Sequence, residues 1–417
     1  MKASVLAGLN ILIPGKPGTG KTQAMKDIYR GYFGGNKIDG GQGVLIRGND
    51  PELDVHNEIF RELNIDKGRR ELTHSVEALI YALDEINRTP AVAQNQFLSL
   101  GDGDFNDRGR EIKLGREGYH ILIATANLGN GEHLGTFEMD SALYNRLHVV
   151  LDLDNPDYEP TNQDVFQKQK REQNPNVKGA PIKDISAKII ETSKKIREMT
   201  QNPSLEEIAL RNYLEIGLKN CMLSSDENGA GRKGKVWPLK CQDCKYNAGT
   251  SKAICSLINS PNDRTTQAMS KYAAALYFLA KLKDPDVKID TTELMFKSFE
   301  LTGAYQLLLN PQELRGRFQG QNPVFMKNVV NRLREEYKKD EDKILASLES
   351  ARGGKSLTVL FEHEGQIGNY DELSDKAKEH TLALKPYMDK REVGLSWVEE
   401  KIRDIIDETK NEIKEGV

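Results

Sequence analysis

Apolar residues fall into short continuous runs near the N-terminus and into helical spacing further along the chain. Leu9–Pro14 is such a run, stopped by Pro14 and Gly15, and predicts a short buried strand. Val44–Ile46 with Arg47, Ala78–Leu83, His120–Ala126 and His148–Leu153 predict four more. Helical stretches lie between them, at Lys21–Tyr32 and Pro90–Leu100. Strands alternating with helices predict a parallel sheet with helices on both faces, covering residues 1–155.

Beyond that core the pattern changes. Residues 156–180 are polar, with Pro156, Pro160, Pro175 and Gly179, and read as a linker. Ile182–Met199, Leu205–Cys221 and Thr265–Leu282 have the spacing of amphipathic helices. Residues 181–310 are therefore expected to be all-α, with an insertion at 221–256 that includes the Gly- and basic-rich loop Gly229–Lys235. Residues 311–417 are densely charged; Val329–Leu348 and Ser396–Ile413 carry helix periodicity and Leu357–Phe361 predicts a short strand. A mainly helical appendage with solvated charged faces is expected there.

Composition narrows the class. A length of 417 residues corresponds to about two to three domains. The net charge of −4 argues against a chain that binds nucleic acid over its whole surface, and leaves a local basic patch open. No run approaches the ~18 uninterrupted apolar residues of a membrane span. The N-terminal run, cut by Gly8, Asn10 and Pro14, is a poor signal peptide. Four cysteines in a chain this long are not a secreted disulfide framework, so a reducing cytoplasmic compartment is expected.

Gly15-Lys16-Pro17-Gly18-Thr19-Gly20-Lys21-Thr22 matches G-x-x-x-x-G-K-[ST], with an apolar strand before it and a helix after it. Glycines let such a loop curl its N–H groups inward onto phosphate oxygens, at a helix N-terminus whose dipole favours anions. Lys21 supplies a charge for the β- and γ-phosphates, and the Thr22 hydroxyl can ligate Mg2+. Gly15, Pro17, Gly18, Thr19, Gly20, Lys21, Thr22 and Gln23 are the candidate nucleotide contacts. Asp84 and Glu85 end another apolar run. Asp84 is placed to hold Mg2+ through water, and Glu85 to polarise an attacking water.

From here the chain resembles the MoxR-type AAA+ ATPases of the helix-2-insert clade. Asp84-Glu85-Ile86-Asn87-Arg88, with Thr89-Pro90 and Gln94-Asn95, is similar to the family's second nucleotide motif. Gly101 to Tyr119 resembles the hairpin inserted into the second helix. Ala124-Thr125-Ala126-Asn127 resembles sensor 1, and Gly135 to Arg146 resembles the family's G-T-x-x-(L/M)-D-x-A-L-x-(D/N)-R segment. Residues 9–155 carry the resemblance strongly, 181–310 more weakly as a helical lid, and 311–417 not at all. The resemblance implies that Asn127 bonds the attacking water or γ-phosphate, and that Arg146 reaches the neighbouring subunit's γ-phosphate as an arginine finger. Arg88 either faces the subunit interface or pairs with an acid. Ser260-Pro261-Asn262-Asp263-Arg264 resembles the family's S-P-R segment with two residues added, which makes Arg264 the candidate sensor-2 arginine. The resemblance also implies ATP, Mg2+, a homo-oligomeric ring, most often a hexamer, and a chaperone-like action on a client. Clients of the family often carry a von Willebrand A domain.

Cys221, Cys241, Cys244 and Cys255 lie in the insertion with spacing C-x19-C-x2-C-x10-C. The C-x2-C pair suits a turn that puts two thiolates on one metal, and two more complete a tetrahedral site. Structural zinc is the first reading; an Fe–S cluster and free or disulfide-bonded thiols are the alternatives. Arg232, Lys233, Lys235, Lys240, Lys245 and Trp237 in the same insert keep a nucleic-acid motor open as a second function. A nucleotide-dependent scaffold is the third, against which an intact Glu85 and Asn127 weigh. His120 and His148, on and beside strands, read as structural.

Overall fold

The expected strands pair into one sheet, and its order sets the ends of three of them side by side. The structure, a computed structural model, describes residues 1–48, 50, 55, 61–64, 69–90, 94–107, 109–127, 137, 139–155, 182–201, 203–215, 218, 254–339 and 341. Helix α1 (Lys2–Ala7) precedes strand β1 (Ile11–Pro14), which leads into helix α2 (Lys21–Phe33). Strand β2 (Gly43–Arg47) is followed by an antiparallel hairpin of β3 (Arg61–Asn64) and β4 (Arg69–Leu72). Next come β5 (Ile80–Asp84), helix α3 (Gln96–Asp102) and a second hairpin, β6 (Asp104–Asp107) with β7 (Arg110–Lys113). Strand β8 (Ile121–Ala126), helix α4 (Ser141–Tyr144) and β9 (Val149–Val150) complete the core.

The sheet order is β2-β5-β8-β1-β9, with every neighbouring pair parallel. All residues of β1 and β8 are buried. Successive side chains point to opposite faces, so both faces are covered, which is why these strands read as unbroken apolar runs. The run at His148–Leu153 follows β1 along its length: the N–H groups of Val149, Leu151 and Leu153 donate to the carbonyls of Asn10, Leu12 and Pro14 at 3.1, 2.8 and 3.0 Å. Regular strand is confined to Val149–Val150, at the sheet edge.

The hairpin expected within 101–119 is present, but its place differs from the expectation. It stands in the crossover from β5 to β8, after helix α3, and does not interrupt the crossover between β2 and β5. That earlier crossover carries the β3–β4 hairpin, in a stretch where the hydrophobic pattern predicts no element. Its strands, Arg-Glu-Leu-Asn and Arg-Arg-Glu-Leu, are short and mostly charged, so no period-2 signal forms. Of the helix expected at Pro90–Leu100, residues 91–93 lie outside the described residues, Gln94 is helical and Gln96–Asp102 forms α3. Before it, Gln94 Nε2 donates to Thr89 O at 3.0 Å and Thr89 Oγ1 to Gly48 O at 2.7 Å.

The chain divides into two compact units, Met1–Gln201 with Lys271–Val287, and Asn202–Ser270 with Lys288–Val417. In the first, helix α5 (Ser186–Gln201) packs on α1. The expected helix at Ile182–Met199 starts four residues late, because the chain first pairs with the end of α2: Lys183 N donates to Arg30 O and Ile185 N to Tyr32 O, at 3.0 and 2.9 Å. The second unit holds helix α6 (Leu205–Glu215), the first turns of α7 (Asp263–Lys283), then α8 (Thr291–Gly303), α9 (Pro311–Gly316) and α10 (Asn322–Lys338). The elements described in it are helices, as expected for a helical region after the core, with one isolated bridge between Ile258 and Leu309. The helix expected at Leu205–Cys221 is described from Leu205 to Glu215; α10 begins seven residues before the helix expected at Val329–Leu348 and is described to Lys338, with residues 342–348 outside the described residues. Buried Tyr337 of α10 meets Tyr213 and Phe296 edge-on, with ring centroids 5.1 and 5.9 Å apart. The linker at 156–180, the loop Gly229–Lys235 and the segments Leu357–Phe361 and Ser396–Ile413 lie outside the described residues.

Candidate functional site

The loop between β1 and α2 is tied down at both ends. Gly15 N donates to Ala126 O of β8 at 3.2 Å, and Lys16 N to Asp154 Oδ1 at 3.1 Å. Thr19 Oγ1 closes the turn onto Lys16 O at 2.8 Å. Gly18 and Gly20 have φ of 83° and 91°, while a Cβ at either would meet nothing within 4 Å. The demand for glycine there is conformational, not spatial: only that backbone curls the loop. Pro17 and the glycines at 18 and 20 are exposed, and Gln23 donates to Asp27 Oδ1 at 2.6 Å along α2.

Lys21 is buried, and its Nζ donates to Gly15 O and Lys16 O at 2.8 and 2.7 Å. Burial pushes its pKa down, against the pull of Asp154, Glu85 and Asp84. Such an ammonium inside a curl of backbone is a receptor for an anion.

The acids stand at the end of β5, two strands from β1. Asp84 Oδ1 accepts from Thr22 Oγ1 at 3.1 Å and from Thr125 Oγ1 at 2.6 Å. Thr125 in turn accepts from Glu85 N at 2.8 Å. Glu85 has a left-handed backbone, φ 57° and ψ 48°, which turns its carboxylate off the strand line. Its Oε1 accepts from Asn127 Nδ2 at 3.4 Å and its Oε2 pairs with Arg88 Nε at 3.0 Å. Asn127 is buried, and Asn87 clamps its backbone: Asn127 N donates to Asn87 Oδ1 at 3.1 Å and Asn87 Nδ2 to Asn127 O at 2.8 Å.

Lys21, Thr22, Asp84, Glu85 and Asn127 are thus brought together at the carboxyl ends of β1, β5 and β8, where open α/β sheets bind ligands. Thr125, Asn87 and Asp154 complete the arrangement without having been picked from the sequence. Thr125 and Asn87 lie inside the motifs around Asn127 and Asp84; Asp154 carries no signal beyond its position after an apolar run.

The remaining candidates lie elsewhere. Arg146 follows α4, whose first turn is capped by Asp140 Oδ1 accepting from Ala142 N. Among the described residues its guanidinium bonds Asp102 and Ala142 O, and none of the loop residues. Arg264 is exposed in the first turn of α7, in the second unit. The added Asn262 caps that helix, its Oδ1 accepting from Thr265 N at 2.9 Å. Cys221, Cys241 and Cys244 lie outside the described residues, as does the side chain of Cys255. His148 Nδ1 accepts from Asn10 N at 3.1 Å, and half-buried His120 packs on Gly103.

Sheet order and loop together define the class of the fold: an α/β P-loop core of the AAA+ type, followed by helices. No protein-family model matches the chain, and no curated protein matches it. Among solved structures it is similar to a candidate ATPase from Cytophaga hutchinsonii, at 15% identity over 79% of this chain and 86% of that one, with a TM-score of 0.48. Among the described residues, no helix is long and apolar enough to cross a membrane.

Proposed function

We propose that this protein is an AAA+ ATPase of the MoxR type, which hydrolyses ATP with Mg2+ in an oligomeric ring and remodels or activates a partner protein. One observation carries the reading: the hydrogen-bonded series Thr22, Asp84, Thr125, Glu85 and Asn127 beside a curled loop with a buried lysine. The β3–β4 hairpin in the crossover between the second and third sheet strands supports the helix-2-insert clade.

The donor set fits a nucleotide and its cation. The loop N–H groups and Lys21 would receive the phosphates, and Thr22 with Asp84 would hold Mg2+, which when bound neutralises charge on the phosphate oxygens. Thr125 fixes the Asp84 carboxylate and the Glu85 backbone at once, so the two acids keep separate tasks. Glu85 takes the proton of the attacking water, and Asn127 orients it. Arg146 supplies positive charge to a neighbouring subunit, a role supported by its bonding, among the described residues, to Asp102 and Ala142 O and to none of its own loop.

Lys21→Ala removes the buried ammonium and is expected to weaken ATP binding about ten- to hundredfold, since a charged hydrogen bond contributes about 1.5–3 kcal/mol. Fluorescence titration with an ATP analogue reads this, and unchanged affinity would count against the site. The four-cysteine insert is proposed to hold one structural zinc. Metal analysis of the purified chain tests it, with iron or no metal as the opposing outcomes.

A further inference from the structure

The guanidinium of Arg146 is held by the last residue of the helix that leads into the β6–β7 hairpin. Its Nε and Nη2 both lie 2.7 Å from Asp102 Oδ2, and Nη1 donates to Ala142 O at 2.9 Å. The aliphatic stem lies on Gly101, where a Cβ would come within 2.7 Å of Arg146 Cβ and 3.0 Å of Cδ. Asn10 fixes the backbone of the same pair: its Nδ2 donates to Gly101 O at 2.8 Å and to Arg146 O at 2.9 Å. Directly after Asp102, Gly103 turns with φ 80° and the hairpin begins.

Both the backbone and the side chain of Arg146 are therefore anchored on residues at the hairpin's root. A guanidinium has five N–H donors. Three are engaged among the described residues, one on each nitrogen, and the two terminal nitrogens each carry a second N–H that can meet a phosphate oxygen. The pair is partly exposed, 19% for Arg146 and 30% for Asp102, so its weight in stability is small and its effect is orientation.

Resting on the ring-ATPase reading above, we propose that Asp102 is a positioning residue for Arg146. It presets the guanidinium for the neighbouring subunit's phosphate and ties that setting to the β6–β7 hairpin. A partner that displaces the hairpin then changes hydrolysis next door.

Mixed assemblies test this. One subunit carries Arg146→Ala and keeps its own hydrolytic residues; the other carries Glu85→Gln and supplies only its Arg146. Turnover in the mixture then reports on Arg146 acting across the interface. Adding Asp102→Asn to the second subunit is expected to lower kcat about ten- to hundredfold, the cost of a small misplacement. KM for ATP should stay within about twofold and assembly, read by light scattering, should not change. Asp102→Glu, which keeps the charge, is expected to restore part of the loss. Equal or higher kcat with Asp102→Asn overturns the positioning role and leaves the ATPase reading intact. Assembled mixtures that show no complementation even with Asp102 present overturn the trans role of Arg146, and this proposal with it.

Discussion

Replacing Glu85 by glutamine is expected to give a protein that binds ATP and does not turn it over. Glutamine keeps the size of the side chain and an oxygen that can accept from Asn127, which now bonds Glu85 Oε1 at 3.4 Å. It cannot take a proton from water. General-base catalysis contributes about 10²–10⁴-fold, so phosphate release should fall by at least about a hundredfold. Affinity should stay within about twofold, because the loop and Lys21 are untouched. The left-handed backbone at residue 85 is held by the Glu85 N–H to Thr125 bond, which the substitution retains. Stopped-flow binding and steady-state phosphate release separate the two quantities, and full turnover in Glu85→Gln would falsify the assignment.

Arg146→Ala should cost more. A trans-acting arginine at a transferring phosphoryl group contributes about 10³–10⁵ in kcat, roughly 4–7 kcal/mol. The loss should appear in the assembled protein, with ATP affinity little changed, since among the described residues Arg146 touches none of its own loop. Turnover that already matches between wild type and Arg146→Ala over a range of protein concentrations would sink the finger. Arg88 makes a useful contrast. It pairs with Glu85 in its own chain, so its removal is expected to act on that carboxylate.

What the sequence discloses depends on how each element is stabilised. β1, β5 and β8 are legible because burial on both faces demands apolar residues at every position. The P-loop is legible because its chemistry and backbone both constrain residue type. The β3–β4 hairpin is not legible, since among the described residues its strands pair with each other alone and carry charges. Its absence from the pattern moved the expected insert onto the later hairpin at 104–113, one crossover downstream. Helix α1 is likewise not legible: six residues give too few turns for a period, although Gly8 ends it in the left-handed region. At the site, the acids and Asn127 were legible as motifs. Thr125, Asn87 and Asp102 were not assigned roles, because each acts through another side chain and only folding shows which.

Asn10 interrupts the first apolar run, and at first sight only weakens it. Its amide bonds the carbonyls of Gly101 and Arg146, its Oδ1 accepts from Leu122 N at 2.8 Å, and its own N–H reaches His148. Two donors and one acceptor at that reach define an asparagine and no other side chain; glutamine is a methylene too long and aspartate has no N–H. Any other side chain at position 10 leaves at least one of these partners unmatched, so a change there is felt in the loop that delivers Arg146 as well as in the strand.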